Sequence, residues 1–68
     1  MEKNWVKIFS TNQMHLIHLA KALLEDAQIE TVEINRQDSA YTLLGEIDLY
    51  VNLQDVVKAR HLLEELIP

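Results

Sequence analysis

Residues 12–27 read NQMHLIHLAKALLEDA, and their apolar side chains recur at the spacing of an α-helix. The apolar stripe comprises Leu16, Ile17, Ala20, Leu23, Leu24 and Ala27, with Leu19 at its edge. The opposite side of the helical wheel carries His15, His18, Lys21 and Glu25. Asn12 is the predicted N-cap, and Gln28 stands where a C-terminal Gly is expected. This pattern predicts an amphipathic helix that needs a sheet beneath its apolar stripe.

The segments on both sides of this helix alternate between apolar and polar residues, which is typical of strands with one buried face. The three predicted strands are Trp5 to Ser10, Ile29 to Asn35 and Glu46 to Asn52. Their predicted core face comprises Val6, Ile8, Val32, Ile34, Ile47, Leu49 and Val51. The other face is predicted to carry Trp5, Lys7, Phe9, Thr31, Glu33, Glu46, Asp48 and Tyr50.

A second amphipathic helix is predicted after Asn52, which is positioned to cap its first turn. Asp55 at the third helical position gives a capping-box pattern, and Val51 is spaced to pack against Val56. The predicted buried stripe comprises Leu53, Val56, Ala59, Leu63, Leu66 and Ile67.

Five elements in the order β-α-β-β-α predict an α+β fold of the ferredoxin-like kind without its final strand. Two helices with one apolar stripe each can cover one face of a three-stranded antiparallel sheet. A right-handed crossover places the third strand between the other two. We therefore expect residues 1–68 to form one domain whose second sheet face is not covered by a helix.

The composition predicts a globular domain, because 49% of the 68 residues are hydrophobic and 25% are charged. The chain has no cysteine, which excludes a disulfide framework and fits a reducing compartment. It has no basic leader before an apolar run and nothing near the roughly 20 apolar residues of a membrane span, so we expect a soluble, cytoplasmic protein without a membrane partner.

The charge and length of the chain bear on its partners. The net charge is −5, and the six basic residues are scattered along the sequence, whereas a phosphate backbone requires clustered Lys and Arg. We therefore expect no nucleic-acid partner. A domain of this size buries only about 60% of the unfolded chain's surface, so a protein partner could supply further burial.

Residues 36–44 contain the only break long enough to be a loop, marked by the turn-favouring residues Asp38 and Ser39. The same segment carries the apolar residues Tyr41, Leu43 and Leu44. Two interpretations stay open. These side chains fold back over the core or extend the next strand, or they form a loop that contacts a partner.

The three histidines are the first candidates for chemistry. His15 and His18 are neighbours on the first helix, a spacing found in metal sites. A third ligand is hard to find, because Glu25 lies two turns from His18, roughly 10 Å along the helix. His61 precedes Glu64 and Glu65 by one turn, which is typical of a weak surface ion pair. No nucleophile, base and stabilising group can be named together, so we expect no catalytic residue, no metal, no cofactor and no enzymatic activity.

Four runs carry a family resemblance: KIFSTN at residues 7–12, LLEDAQIE at 23–30, INRQDSAY at 34–41 and GEIDLYV at 45–51, followed by Asp55 and Ala59. In these runs the chain resembles the putative prokaryotic signal-transducing proteins, small bacterial domains similar in fold to nitrogen-regulatory P-II proteins. The resemblance covers nearly the whole chain and implies the fold and a regulatory role. Gln28 and Asn52 depart from the family, which usually has Gly and often Pro there. The P-II likeness would imply nucleotide sensing, but the chain has no Gly-rich phosphate cradle, and we expect no ATP binding.

The uncovered sheet face carries the remaining functional signal. The predicted interface residues are Trp5, Lys7, Phe9 and Tyr50, an aromatic cluster with a charged rim. We expect a non-enzymatic interaction or regulatory module that self-associates or binds a protein partner through this face or through the edge of the first strand. Two alternatives stay open: neighbouring long side chains cover the aromatics, or the chain is a small-molecule sensor whose ligand lies near residues 36–44.

Overall fold

The computed structural model describes residues 4–36 and 46–66. In chain order these residues form β1 (Trp5–Thr11), α1 (Met14–Asp26), β2 (Thr31–Asn35), β3 (Ile47–Asn52), a 3-10 turn (Leu53–Asp55) and α2 (Val56–Leu63). This order confirms the predicted α+β fold of the type β-α-β-β-α. The predicted loop contacts Tyr41, Leu43 and Leu44 lie outside the described residues.

The strands form a single sheet in the described part of the chain, in the order β1-β3-β2. β3 pairs antiparallel with both neighbours, so β1 and β2 run parallel to each other at the two edges. The predicted position of the third strand between the other two is confirmed.

Both helices pack on the same face of the sheet, where their buried side chains meet the central strand. The core comprises Ile17, Ala20, Leu24, Ile29, Ile47, Leu49, Val51, Ala59 and Leu63. The centre of the predicted α1 stripe is buried, and Leu19 at its edge is 52% exposed. In α2, Ala59 and Leu63 are buried as predicted, whereas Ile67 lies outside the described residues.

α1 begins later than predicted, and Asn12 is not its N-cap. β1 continues through Thr11, so the helix begins at Met14 with Gln13 as the N-cap residue. Gln13 makes no side-chain capping hydrogen bond, and its amide donates to Thr11 Oγ1 at 3.2 Å. The hydroxyl at the end of the strand therefore directs the chain into the helix.

α1 ends in a left-handed turn at Gln28, whose φ angle is 64°. The amide of Gln28 donates to the carbonyl of Glu25, and the amide of Ile29 donates to that of Leu24, both at 2.9 Å. These two bonds form the Schellman motif, and the burial of Ile29 and Leu24 in one core provides its usual apolar contact. Gln28 thus occupies the position where a Gly was expected, and its Cβ strains the left-handed backbone.

The chain enters α2 through the 3-10 turn rather than through the predicted capping box. Asn52 precedes the turn and Asp55 precedes α2, but neither makes a side-chain capping hydrogen bond. The amide of Leu53 donates to the carbonyl of Asn4 at 2.8 Å, which ties the end of β3 to the start of β1. Leu53 is 57% exposed there, so the prediction that it extends the buried stripe is wrong.

A β-bulge in β1 moves Phe9 from its predicted face to the face covered by the helices. The register shifts so that Lys7 lies opposite Tyr50 and Phe9 lies opposite Leu49. Ile8 is the extra residue, and both Ile8 and Phe9 pack against the core. The prediction that Phe9 shares a face with Trp5 is therefore wrong, because strict alternation does not anticipate a bulge.

β2 presents its side chains to the opposite faces from those predicted. Val32 and Ile34 pair with residues of β3 that point away from the helices, and opposed residues of antiparallel strands share a face. Thr31 and Glu33 pair with buried residues of β3 on the helix side, where the Glu33 carboxylate accepts from Lys21 Nζ of α1 at 3.4 Å. The predicted core face of β2 is wrong because alternation defines two faces without saying which one meets the helix.

Candidate interaction face

We call the sheet face that points away from both helices the open face. Its members follow from the strand register and the side-chain hydrogen bonds. They are Trp5, Lys7, Ser10, Val32, Ile34, Asp48, Tyr50 and Asn52, with Arg36 and Glu46 at one end. Within residues 4–36 and 46–66, no helix packs over this face, because both helices pack on the other one.

The open face is arranged in rows that cross β1, β3 and β2 in that order. The first row contains Lys7, Tyr50 and Val32. The second row contains Ser10, Asp48 and Ile34. Each row therefore has a polar residue on β1 and a branched apolar residue on β2. Trp5 lies beyond the first row, opposite Asn52.

The apolar part of the open face is formed by β2 together with two aromatic side chains. Ile34 is 44% exposed, and Val32, Tyr50 and Trp5 are half-buried. Val32 and Ile34 thus supply apolar area on this face, which the sequence pattern predicted Phe9 to supply. Three predicted interface residues, Trp5, Lys7 and Tyr50, do share this face.

Four side chains at one end of the open face form a polar cluster: Ser10, Arg36, Glu46 and Asp48. Ser10 Oγ lies 2.8 Å from both Glu46 Oε1 and Asp48 Oδ1. A hydroxyl has one hydrogen, so it donates to one carboxylate at a time. Arg36 Nη2 donates to Asp48 Oδ1 at 3.2 Å and lies 3.9 Å from Glu46 Oε1.

Burial and charge differ within the polar cluster. The side chain of Asp48 is 5% exposed, whereas those of Arg36 and Glu46 are half-exposed. A buried carboxylate needs hydrogen-bond donors, and Ser10 and Arg36 provide them. One guanidinium faces two carboxylates, so the cluster is negatively charged. The amide of Arg36 also donates to the carbonyl of Glu46 at 3.1 Å, which joins the chain on either side of residues 37–45.

Lys7 is the cation on the β1 side of the open face. Its side chain is exposed, and it forms no ion pair with any carboxylate in the described part of the chain. It lies in the row next to Ser10 on the same strand. Among the described residues, the open face therefore carries one cation without a carboxylate partner, Lys7 on β1, and a negative cluster at the end that includes Glu46.

The sequence matches a model of a known protein family over nearly its whole length. A family model described as "Putative prokaryotic signal transducing protein" matches residues 5–67. The chain belongs to this family. The match spans every described strand and helix and all residues of the open face. A comparison with curated proteins found no match.

The histidines of this family member lie on the helices rather than on the open face. His15 and His18 are exposed on α1. On α2, His61 Nδ1 lies 3.9 Å from Glu64 Oε1, and both side chains are largely exposed, which confirms the predicted weak surface pair. Among the residues that the structure describes, no three His, Cys, Asp or Glu side chains lie close enough to hold a metal ion. No helix in the same ranges has the length and apolar character needed to cross a membrane.

Proposed function

We propose that this protein is a non-enzymatic regulatory module of a signal-transducing family, and that it acts by binding protein through its open face. The observation that carries the proposal is the composition of that face. Branched apolar residues of β2 lie beside aromatic side chains, and charged groups lie at the margins. The family description supports a signalling role in general terms.

The arrangement matches the anatomy of protein interfaces. Their cores are rich in aromatic and apolar side chains, and charged residues lie at the rim. Trp5 and Tyr50 belong to residue types that often anchor an interface. Around them, Lys7, Arg36 and Glu46 are exposed or half-exposed and have both signs of charge. β1, whose edge was predicted as an alternative contact, borders the same face.

The non-enzymatic part of the proposal rests on the surroundings of Ser10. Its hydroxyl is the candidate nucleophile of the polar cluster, and its neighbours are two carboxylates and a guanidinium. A nucleophilic serine requires an adjacent base and a group that stabilises the oxyanion. The histidines lie on helices that pack against the opposite sheet face, and the nearby carboxylates disfavour the negative charge that develops during attack.

Photo-crosslinking tests which surface binds protein. A photoreactive p-benzoylphenylalanine replaces Tyr50 in one variant and Val57 in the matched control, because Val57 is 82% exposed on α2. Irradiation of the purified chain, and of intact cells that produce it, should give protein adducts from position 50 and few from position 57. Adducts from position 57 alone, or none from either position, would contradict the proposal.

The small-molecule sensor predicted as an alternative is tested by a ligand screen. A ligand that binds the folded state raises the thermal midpoint by mass action. We expect no saturable hit, whereas a hit that persists after Tyr50→Ala would favour the sensor. The cytoplasmic location stays a prediction from the sequence.

A further inference from the structure

We propose that the protein bound by the open face is a second copy of this chain, related by a two-fold axis that lies between the two sheets and runs across their strands. This inference rests on the proposed function, because it names the partner of the same face. In the dimer, Val32 packs against Ile34 of the partner subunit. Lys7 lies beside Glu46 of the partner subunit.

Two sheets that stack face to face, about 10 Å apart, have two simple symmetric arrangements. The two-fold axis runs either along the strands or across them. An axis along β3 exchanges the outer strands and lays Lys7 over Val32 of the partner subunit. The ammonium group would then lose water without gaining a hydrogen-bond partner, which costs free energy. The first arrangement is therefore disfavoured.

An axis across the strands keeps each strand over its own copy and exchanges the two rows. If this axis lies midway between the two rows, Val32 lies over Ile34 of the partner subunit. The two-fold symmetry then forms the same contact a second time in the dimer. The side chain of Ile34, which is 44% exposed in the single chain, then leaves water. Burial of this apolar area favours association.

The same axis brings opposite charges together. It lays Lys7 over Ser10 of the partner subunit, and therefore beside the polar cluster of that subunit. The exposed carboxylate of the cluster is Glu46, whose side chain is 52% exposed. Lys7 has no carboxylate partner within the described residues of its own chain. Two such pairs form in each dimer, and their complementarity favours this register over others.

The size of the face sets the expected strength of the dimer. From the spacings of a β-sheet, three strands and the rows from Trp5 to Ser10 cover about 14 by 20 Å. This area is well below the roughly 800 Å² that each partner contributes to a standard interface. We therefore expect a weak dimer that forms at high concentration. Because each subunit uses the same face once, association stops at two subunits.

Charge exchange between positions 7 and 46 tests this register. Lys7→Glu places like charges opposite each other in its own homodimer, and Glu46→Lys does the same. An equimolar mixture of these two variants restores both pairs, because the new acid of one chain meets the new base of the other. Lys58→Glu is the matched control, since Lys58 is exposed on α2 and its substitution changes the net charge as Lys7→Glu does.

Sedimentation equilibrium measures the association of each sample. Each variant alone should dimerise at least about 10-fold more weakly than the parent, whereas the mixture should recover the parental affinity as a heterodimer. The control should dimerise like the parent. Circular dichroism identifies variants that are folded, and a mixture of folded variants that does not dimerise would overturn the proposal.

Two further outcomes separate this inference from the proposed function. If both variants dimerise like the parent while Tyr50→Ala does not, the register is wrong and the open face remains the binding surface. If the parent is monomeric at every concentration, the second copy is the wrong partner. Crosslinking from position 50 in cells then decides separately whether the open face binds protein.

Discussion

Ile34 of β2 lies directly opposite Asp48 of β3, on the face of the sheet that points away from the helices. Because of this pairing, Val32 and Ile34, the two branched apolar residues of β2, point away from the core and belong to the open face. Glu33, between them, points instead to α1 and accepts a hydrogen bond from Lys21. The apolar part of the candidate interface therefore comes from β2, and not from Phe9.

Phe9 should contribute more to the free energy of unfolding than Ile34 does. The alternation of apolar and polar residues predicted the reverse. Phe9→Ala should lower the free energy of unfolding by about 2 kcal/mol or more, because the ring packs against the core beside the bulge. Ile34→Ala should lower it by less than about 1 kcal/mol, because the side chain is partly in water. Urea unfolding at low protein concentration, where a dimer does not contribute, measures both. Equal losses would show that β2 presents Ile34 to the core.

Gln28→Gly should stabilise the protein. Gln28 has a φ angle of 64°, and a residue with a Cβ costs about 1 kcal/mol in that region. For a domain of this size, the thermal midpoint should rise by roughly 4–8 °C. Gln28→Ala keeps a Cβ and is the matched control, so it should give no rise. A midpoint that does not rise with Gly would mean that the left-handed turn is not strained.

Asp48 should matter more for stability than its ion-pair partner. Asp48→Ala removes a buried acceptor of two hydrogen bonds and should cost about 1–3 kcal/mol of unfolding free energy. Arg36→Ala should cost less than about 1 kcal/mol, because the guanidinium is half-exposed. Chemical denaturation of both variants gives the comparison, and a larger loss for Arg36→Ala would reverse this assignment.

The ion pair between Lys21 and Glu33 should contribute little. Its atoms lie 3.4 Å apart, but 32% and 23% of the two side chains are exposed. Solvent and salt screen such pairs, so a double-mutant cycle with Lys21→Met and Glu33→Gln should give a coupling below about 1 kcal/mol. A larger coupling, unchanged in high salt, would mean that this pair holds β2 in its register.

Much of the fold could be predicted because two segments have strong periods. The apolar stripe of α1 recurs over about three turns, and Ile47, Leu49 and Val51 alternate without interruption in β3. Both patterns are confirmed by burial. With these two elements in place, the rules for crossovers leave β3 at the centre of the sheet.

The faces of the edge strands could not be predicted from local pattern. Whether Val32 and Ile34 point inward depends on their pairing with β3, and the bulge at Ile8 also depends on tertiary pairing. Neither strand contains Gly or Pro, which would have signalled an irregularity. The face of a candidate interface residue was therefore predicted correctly only where strict alternation holds, which is at Trp5, Lys7 and Tyr50.

The polar cluster was missed for a related reason. Ser10 lies on β1, Asp48 lies on β3 and Arg36 follows the end of β2, and only the register of the sheet brings them together. The one available signal was an acid, Asp48, between the apolar residues of a central strand. A buried carboxylate at such a position requires hydrogen-bond donors from neighbouring parts of the chain.

Sedimentation velocity of the parent and two matched variants tests most directly whether the open face binds a second copy. Val32→Asp places a charge on the open face, and Val57→Asp places the same charge on the exposed side of α2. The sedimentation coefficient should rise with concentration for the parent and for Val57→Asp, while Val32→Asp, shown to be folded by circular dichroism, stays at the monomer value. Emission from Trp5, the only tryptophan, should shift to the blue as the parent associates. A parent that stays monomeric, or a Val32→Asp variant that associates as the parent does, would contradict the claim.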